Sequence, residues 1–66
     1  MYVLLRDSKT HAVLVRTTFK NLRETTQCGF VKILIGQTVL GLKYAEETGC
    51  DFVSTRSAGG MYLEVE

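Results

Sequence analysis

Apolar side chains dominate the segment from Gly29 to Gly49, which reads GFVKILIGQTVLGLKYAEETG. If its residues are placed at the helical step of about 100°, the charged side chains share one narrow arc and apolar side chains cover almost all of the remaining surface. Those charged residues are Lys32, Lys43, Glu46 and Glu47. A helix with so little polar surface has to be buried on several sides. We therefore expect this segment to form the centre of the fold.

Residues 30–48 fit two structures. In the first they form one helix, and in the second Phe30–Ile35 is a strand that precedes a helix over residues 37–48. The run FVKILI is rich in β-branched residues, as buried strands are, and a glycine inside a helix costs about 1 kcal/mol relative to alanine. Lys32 counts against a buried strand. We favour the strand followed by a helix, and both structures contain a helix over residues 37–48 that ends at Gly49.

Two apolar segments near the N-terminus, Tyr2–Arg6 and Ala12–Thr17, flank the turn-prone sequence DSKTH and predict a β-hairpin. Each segment has three consecutive apolar residues, VLL in the first and VLV in the second, so neither alternates cleanly. Both faces of this hairpin are therefore expected to be partly apolar, as in a central position of a sheet.

The C-terminal segments Phe52–Arg56 and Met61–Val65 predict a second hairpin, joined by residues 57–60. Gly59 and Gly60 supply the positive φ angles that tight turns require. We expect a register in which Arg56 faces Met61. The side chains of Met61, Leu63 and Val65 then share the core face, and the residues between them face solvent.

The polar segment between the first hairpin and the central stretch, TTFKNLRETTQC over residues 17–28, predicts a short helix. Thr17 or Thr18 caps its start, and Cys28 with Gly29 closes it; an extended loop is the alternative. These elements together predict an α+β fold over residues 1–66 as one domain. It has two hairpins, a sheet of four to five strands, and the main helix on one face of the sheet.

A chain of 66 residues buries only about 60% of its unfolded surface and is marginally stable alone. With two cysteines and no proline, it does not fit a disulfide-rich secreted scaffold. The apolar part of MYVLLRDS is too short for a signal peptide, and the apolar run around residues 30–42 is shorter than the ~20 residues of a membrane-spanning helix. We expect a cytoplasmic protein without membrane contact.

Charge is distributed unevenly along the chain, although the net charge is only +1. Residues 1–33 carry six basic and two acidic side chains, a net +4, whereas residues 34–66 carry two basic and five acidic ones, a net −3. Such asymmetry either steers a charged partner or is neutralised by pairs within the fold or between subunits.

Residues with catalytic or metal-binding chemistry form no constellation in this sequence. His11, the single histidine, lies at a predicted turn, where a solvent-exposed side chain is expected. Cys28 and Cys50 are expected to be buried and reduced. In the strand-helix structure each cysteine precedes a strand and the two could lie close, whereas one continuous helix would hold them roughly 30 Å apart. We predict no cofactor, no metal and no enzymatic activity.

The apolar surface of the central stretch and the first hairpin exceeds what so small a domain can cover, which predicts a homodimer or a larger protein partner. The function that fits is non-enzymatic binding, by a small inhibitor or accessory protein that occupies a partner protein's surface. Many tiny viral and mobile-element proteins of this size act in that way. The predicted partner-binding residues are the basic set Arg6, Lys9, Arg16, Lys20 and Arg23, which would suit an acidic partner.

Nucleic-acid binding is the alternative. From Lys20 onward the predicted order is helix, turn, helix and two-stranded wing, which is the order of winged DNA-binding domains. The helix that would read the bases offers only Lys32 and Lys43, and it lacks the Arg and Asn side chains that recognise base edges.

Overall fold

The computed structural model describes residues 1–51 and 57–66. In chain order its elements are β1 (Tyr2–Asp7), β2 (Val13–Thr18), α1 (Phe19–Thr25), α2 (Gly29–Thr48), β3 (Ser57–Ala58) and β4 (Met61–Val65). The strands form one antiparallel sheet in the order β2-β1-β4-β3. Side chains of both helices join the core formed on one face of this sheet. The predicted α+β class, with a four-stranded sheet, is therefore confirmed.

The first hairpin is confirmed, and β1 lies at the centre of the sheet between β2 and β4. Val3 and Leu5 point into the main core, whereas Leu4 is buried on the opposite face, across from Arg16 and Glu64. The aliphatic parts of those two long side chains can cover a leucine. Three consecutive apolar residues in β1 thus reflect a strand that is covered on both faces.

The turn of this hairpin is organised by Asp7. Its Oδ1 accepts hydrogen bonds from the backbone N–H groups of Lys9 at 2.8 Å and Thr10 at 3.0 Å. Its carbonyl oxygen accepts from the N–H of His11 at 2.8 Å, and His11 adopts a positive φ of 62°. The two backbone bonds to the side chain, that of Thr10 first and that of Lys9 second, lower the pKa of Asp7 from its ordinary value of 3.8.

Replacing Asp7 with asparagine is expected to weaken this turn and to change how stability depends on pH. A carboxyl whose pKa is depressed by folding stabilises the folded chain above its ordinary pKa, and that contribution is lost as pH falls through the folded pKa. Between neutral pH and pH below 3.8, wild type should therefore lose more stability than Asp7→Asn in urea denaturation. Equal losses would show that ionised Asp7 does not stabilise the turn.

Helix α1 begins as predicted, at a threonine cap. The Oγ1 of Thr18 accepts a hydrogen bond from the N–H of Asn21 at 3.2 Å, and this satisfies one of the free amides of the first turn. Phe19 and Leu22 on one side of the helix are buried in the core. The helix ends earlier than expected, because its C-terminal cap is Thr26 in an extended conformation rather than Cys28 and Gly29.

Helix α2 runs without interruption from Gly29 to Thr48, so the favoured prediction of a strand over Phe30–Ile35 is wrong. Packing against the core explains why this segment is helical. The four residues of α2 that are buried have helical spacing: Val31, Leu34, Ile35 and Thr38. The predicted helix over residues 37–48 is confirmed, and Gly49 caps it with φ 72°.

The second hairpin turns at Gly59 and Gly60, whose φ angles of 60° and 74° match a two-residue turn of the type that joins twisted strands. Ala58 pairs with Met61, so the predicted register with Arg56 opposite Met61 is wrong, since Ser57 and Ala58 belong to a strand instead of the loop. The predicted strand over residues 52–56 lies outside the described residues.

The core lies between one face of the sheet and the two helices. Leu63 of β4 is its centre at 1% exposure, and the buried apolar residues around it are Val3, Leu5, Phe19, Leu22, Val31, Leu34 and Ile35. Met61 and Val65 pack against this cluster, so the predicted core face of the last strand is confirmed. Thr38 is the one buried polar side chain among the described residues, and its hydroxyl donates to the carbonyl oxygen of Leu34 at 2.8 Å.

Candidate interaction surfaces

An apolar stripe runs along the outside of α2. Its members are Phe30, Ile33, Leu40 and Tyr44, whose exposed fractions are 52%, 52%, 68% and 64%. Half-buried Gln37 lies in the same row, so successive positions are alternately three and four residues apart. The stripe lies about 135° around the helix from the buried face. Helix α2 thus has two apolar faces, and within the described part of the chain only one of them is covered.

Together with Gln37, the only polar residue in this row, the four apolar residues form what is called the stripe below. Spacing of three and four residues is that of the a and d positions of a coiled coil, which pack against another helix. A globular core produces a broader apolar face, as the buried side of α2 illustrates. The spacing of the stripe is therefore the spacing with which two helices pack against each other.

Gly36 borders the stripe at a position where no contact with residues 1–51 or 57–66 requires a glycine. It is exposed, and a Cβ atom added there would meet no other atom within 4 Å. Glycine inside a helix lowers stability by about 1 kcal/mol relative to alanine. A small residue beside an apolar row leaves room for another backbone to approach closely.

The ends of α2 lack the charges that normally offset a helix dipole. Cys28 caps the N-terminus without a side-chain hydrogen bond, and the first turn has no acidic residue. The last turn has no basic residue, and exposed Glu46 and Glu47 lie there instead. Negative charge is unfavourable near a helix C-terminus and favourable near an N-terminus. An anion from another molecule would therefore be stabilised at the N-terminal end of α2.

Strand β2 is a second uncovered surface, at the opposite edge of the sheet from β3. Val13, Leu14 and Val15 are all exposed, the last with 41% of its surface accessible. The hydrogen bond from Phe19 N–H to the Met1 carbonyl oxygen fixes which residues of β2 bond to β1. Backbone groups in antiparallel strands alternate in direction, so those of Arg16 and Thr18 point away from the sheet. Within the described residues no strand pairs with this edge.

Two of the five predicted partner-binding residues, Arg6 and Arg16, lie on the outer face of the sheet and pair with acidic residues of β4 and the C-terminus. Arg6 Nε lies 3.3 Å from Oε2 of Glu64, without hydrogen-bond alignment, and Arg6 Nη1 donates to the carbonyl oxygen of His11 at 2.7 Å. Arg16 Nη2 lies 2.9 Å from Oε2 of Glu66. Part of the charge asymmetry between the two halves is therefore neutralised within the fold.

Tyr2 and Tyr62 extend these contacts on the same outer face. The guanidinium of Arg16 stacks over the ring of Tyr2, 4.3 Å from its centroid. Nδ1 of His11 lies 2.8 Å from the hydroxyl of Tyr62. His11 is exposed, as predicted for a turn histidine. The outer face thus has polar side chains that already contact one another.

The other three predicted residues, Lys9, Lys20 and Arg23, are exposed and form no ion pair among the described residues. Lys9 lies in the first turn, distant in sequence from the other two. Lys20 and Arg23 line an open groove of about 600 Å³ along α1 together with Phe19 and Glu24. Arg23 also lies over the ring of Phe19, 5.7 Å from its centroid. The basic set is therefore divided among three places and does not form one patch.

Cys28 and Cys50 are both exposed and free, so the expectation that they are buried is wrong. Because α2 is continuous, they lie beyond its two ends, separated by about 30 Å along the axis, and cannot bond within one chain. This separation is the one that the sequence predicts for the alternative in which residues 30–48 form one helix.

Within residues 1–51 and 57–66, no cluster of His, Cys, Asp and Glu side chains is arranged to hold a metal ion. No helix in that part of the chain combines the length and hydropathy needed to span a membrane. Comparison with protein-family models, curated proteins and solved structures gave no match.

Proposed function

We propose that this protein is a non-enzymatic binding module that acts in the cytoplasm as a homodimer and occupies the surface of a partner protein, as an inhibitor or accessory subunit. The observation that carries the proposal is the presence of two separate uncovered apolar surfaces, the stripe on α2 and the edge of β2. Exposed apolar surface is unfavourable in water unless another molecule covers it. Two such surfaces allow a small domain to bind a second copy and a different protein at once.

The edge of β2 is the surface we assign to the partner protein. An extended segment of the partner would add a strand there, with its backbone bonding to the outward groups of Arg16 and Thr18. The exposed side chains of Val13, Leu14 and Val15 would supply apolar contacts. The cations of α1, which directly follows β2, favour an acidic partner.

The nucleic-acid alternative has less support from the geometry. Much of the exposed surface of α2, the helix that would enter a DNA groove in a winged-helix protein, is apolar, and Lys32 and Lys43 are its only exposed cations. DNA-reading helices present polar and basic side chains to phosphates and base edges.

A tagged pull-down from extract of the source cells, with and without nuclease, separates the two functions. A protein recovered in stoichiometric amount after nuclease treatment, and lost with Leu14→Glu, supports the proposal. Glutamate at the edge disrupts added strand pairing, and Leu14 is exposed enough for the fold to tolerate it. Recovery of nucleic acid, with the protein bands lost on digestion, would replace the proposal with nucleic-acid binding.

Removing the cations of α1 is expected to weaken partner binding more than removing those of the outer sheet face. The double variant Lys20→Ala with Arg23→Ala should lose on the order of 1 kcal/mol of binding free energy at low salt and less at high salt. The matched variant Arg6→Ala with Arg16→Ala should lose less, because Glu64 and Glu66 already offset both charges. Calorimetric titration at two salt concentrations measures the affinity of wild type and of both double variants. Equal affinities for the three proteins would exclude Lys20 and Arg23 from the interface.

A further inference from the structure

We infer that the occupant of the α2 stripe is the same helix of a second copy, packed antiparallel across a two-fold axis. This inference rests on the homodimer in the proposed function and deepens it by specifying its interface. The stripe has the three-and-four spacing of a coiled-coil seam, so a helix fits it better than a strand or a loop. A two-fold axis brings the same surface from both copies together, so one stripe is sufficient to build the interface.

The antiparallel register follows from the length of the helix. Full overlap of two copies of Gly29–Thr48 places Ile33 across from the partner's Tyr44 and Gln37 across from the partner's Leu40. The same pairs recur on the other side of the axis. In antiparallel coiled coils an a position faces a d position, and this register satisfies that rule along the whole seam. The register that aligns the two stripes is therefore also the register in which the two helices overlap over their full length.

Charge selects the antiparallel orientation over the parallel one. In the full-overlap register the partner's Glu47 reaches the first turn of α2, beside Phe30. That turn has no acidic residue and its cap makes no side-chain hydrogen bond, so the carboxylate offsets the positive end of the helix dipole. In a parallel pair Glu47 of one copy would face the partner's Glu47, and the two carboxylates would repel each other.

Gly36 provides an independent indication of the same packing. In this register it lies beside the partner's Lys43, and the missing Cβ leaves room for the lysine stem and for a close approach of the two helices. Among the described residues nothing requires a glycine at this exposed position, since a Cβ atom there would meet none of their atoms within 4 Å. Close packing of the partner's helix would account for the glycine at position 36.

The two free cysteines give this geometry a signature that can be measured. They flank α2 at opposite ends and are exposed. An antiparallel pair places Cys28 of one copy beside the partner's Cys50, at both ends of the interface. A parallel pair would place each cysteine beside its own counterpart. Within one chain the helix keeps the two thiols about 30 Å apart, so a short reagent cannot join them intramolecularly.

Cross-linking with a short bismaleimide, read as covalent dimer on a denaturing gel, tests the orientation. Wild type should give covalent dimer, whereas Cys28→Ala alone and Cys50→Ala alone should each give almost none. A mixture of the two variants, unfolded and refolded together, should restore the dimer, because one chain supplies each thiol. Covalent dimer from either single variant alone, with none gained on mixing, would overturn the antiparallel arrangement.

Sedimentation equilibrium over a range of concentrations distinguishes failure of this interface from failure of the proposed function. Leu40→Glu should weaken self-association at least tenfold, whereas Leu14→Glu on the β2 edge should leave it unchanged, since hot-spot residues lie at the centre of an interface. Circular dichroism checks that both variants fold. Dissociation by Leu14→Glu instead would move the dimer to the β2 edge, which would overturn this inference and the assignment of that edge to a partner protein, but not the homodimer. A monomeric wild type at all concentrations would overturn both the inference and the homodimer of the proposed function.

Discussion

Leu63→Ala is expected to destabilise the fold by about 3 kcal/mol, which is most of the stability of a domain of this size. Leu63 is 1% exposed and packs among side chains from β1 and both helices, so alanine leaves a cavity that no single element can fill. Large-to-small changes at such sites cost about 2–5 kcal/mol, and domains of this size rarely have more than about 5 kcal/mol in total. Urea denaturation followed by circular dichroism measures the loss.

Two further variants make this prediction specific to position 63. Leu14→Ala removes the same atoms from a leucine that is 51% exposed, and it should change stability by less than about 0.5 kcal/mol. Leu63→Met keeps the volume and should cost less than about 1.5 kcal/mol, so it remains folded if alanine does not. Similar losses for Leu63→Ala and Leu14→Ala would mean that β4 does not hold the centre of the core.

Gly59→Ala is expected to have the second-largest effect, about 2–4 kcal/mol, from two causes that act together. Gly59 has a φ of 60°, a conformation that costs an L-residue roughly 1–2 kcal/mol. A Cβ atom at this position would also lie 2.5 Å from Cδ2 and 3.0 Å from Cβ of Phe30, so the start of α2 would have to shift. The close approach of this turn to Phe30 connects the last hairpin to the start of α2.

The neighbouring glycine separates the two causes. Gly60 has a φ of 74° but open space around it, so Gly60→Ala should cost only about 1–2 kcal/mol. In a chain that already carries Phe30→Ala, the cost of Gly59→Ala should fall to that of Gly60→Ala, because the clashing ring is gone. Thermal denaturation of the four proteins of this cycle measures the coupling, and additive costs would exclude a contact between residues 30 and 59.

The uncovered surfaces lie on different elements, which matters for the proposed function. The stripe lies on α2, which contacts β3 and β4, whereas the open edge is β2 on the other side of the sheet. A second copy on α2 therefore leaves β2 free for a different protein. A dimer would then present two partner-binding edges, and bivalent binding strengthens attachment to a target with repeated sites.

The basic set shows what charge patterning predicts and what it misses. The sequence correctly places an excess of cations in the N-terminal half, and Lys20 and Arg23 remain exposed beside a groove. It does not reveal that Arg6 and Arg16 face acidic residues that lie 58 and 50 positions later in the chain. Those pairs depend on β1 pairing with β4, which is a long-range contact that no local pattern encodes.

The amino-acid sequence by itself determined the local elements of this protein: the first hairpin, the threonine cap of α1, and the glycine that ends α2. Each depends on interactions among residues close in the chain, where backbone sterics and side-chain capping dominate. Only the tertiary structure decided that residues 30–35 are helical, because a short apolar run fits a buried strand and a buried helix equally well. The core buries Val31, Leu34 and Ile35 together, and only a helix places residues with this spacing on one face. Because α2 is continuous, Cys28 and Cys50 lie beyond its opposite ends, and the apolar side chains of the stripe face outward.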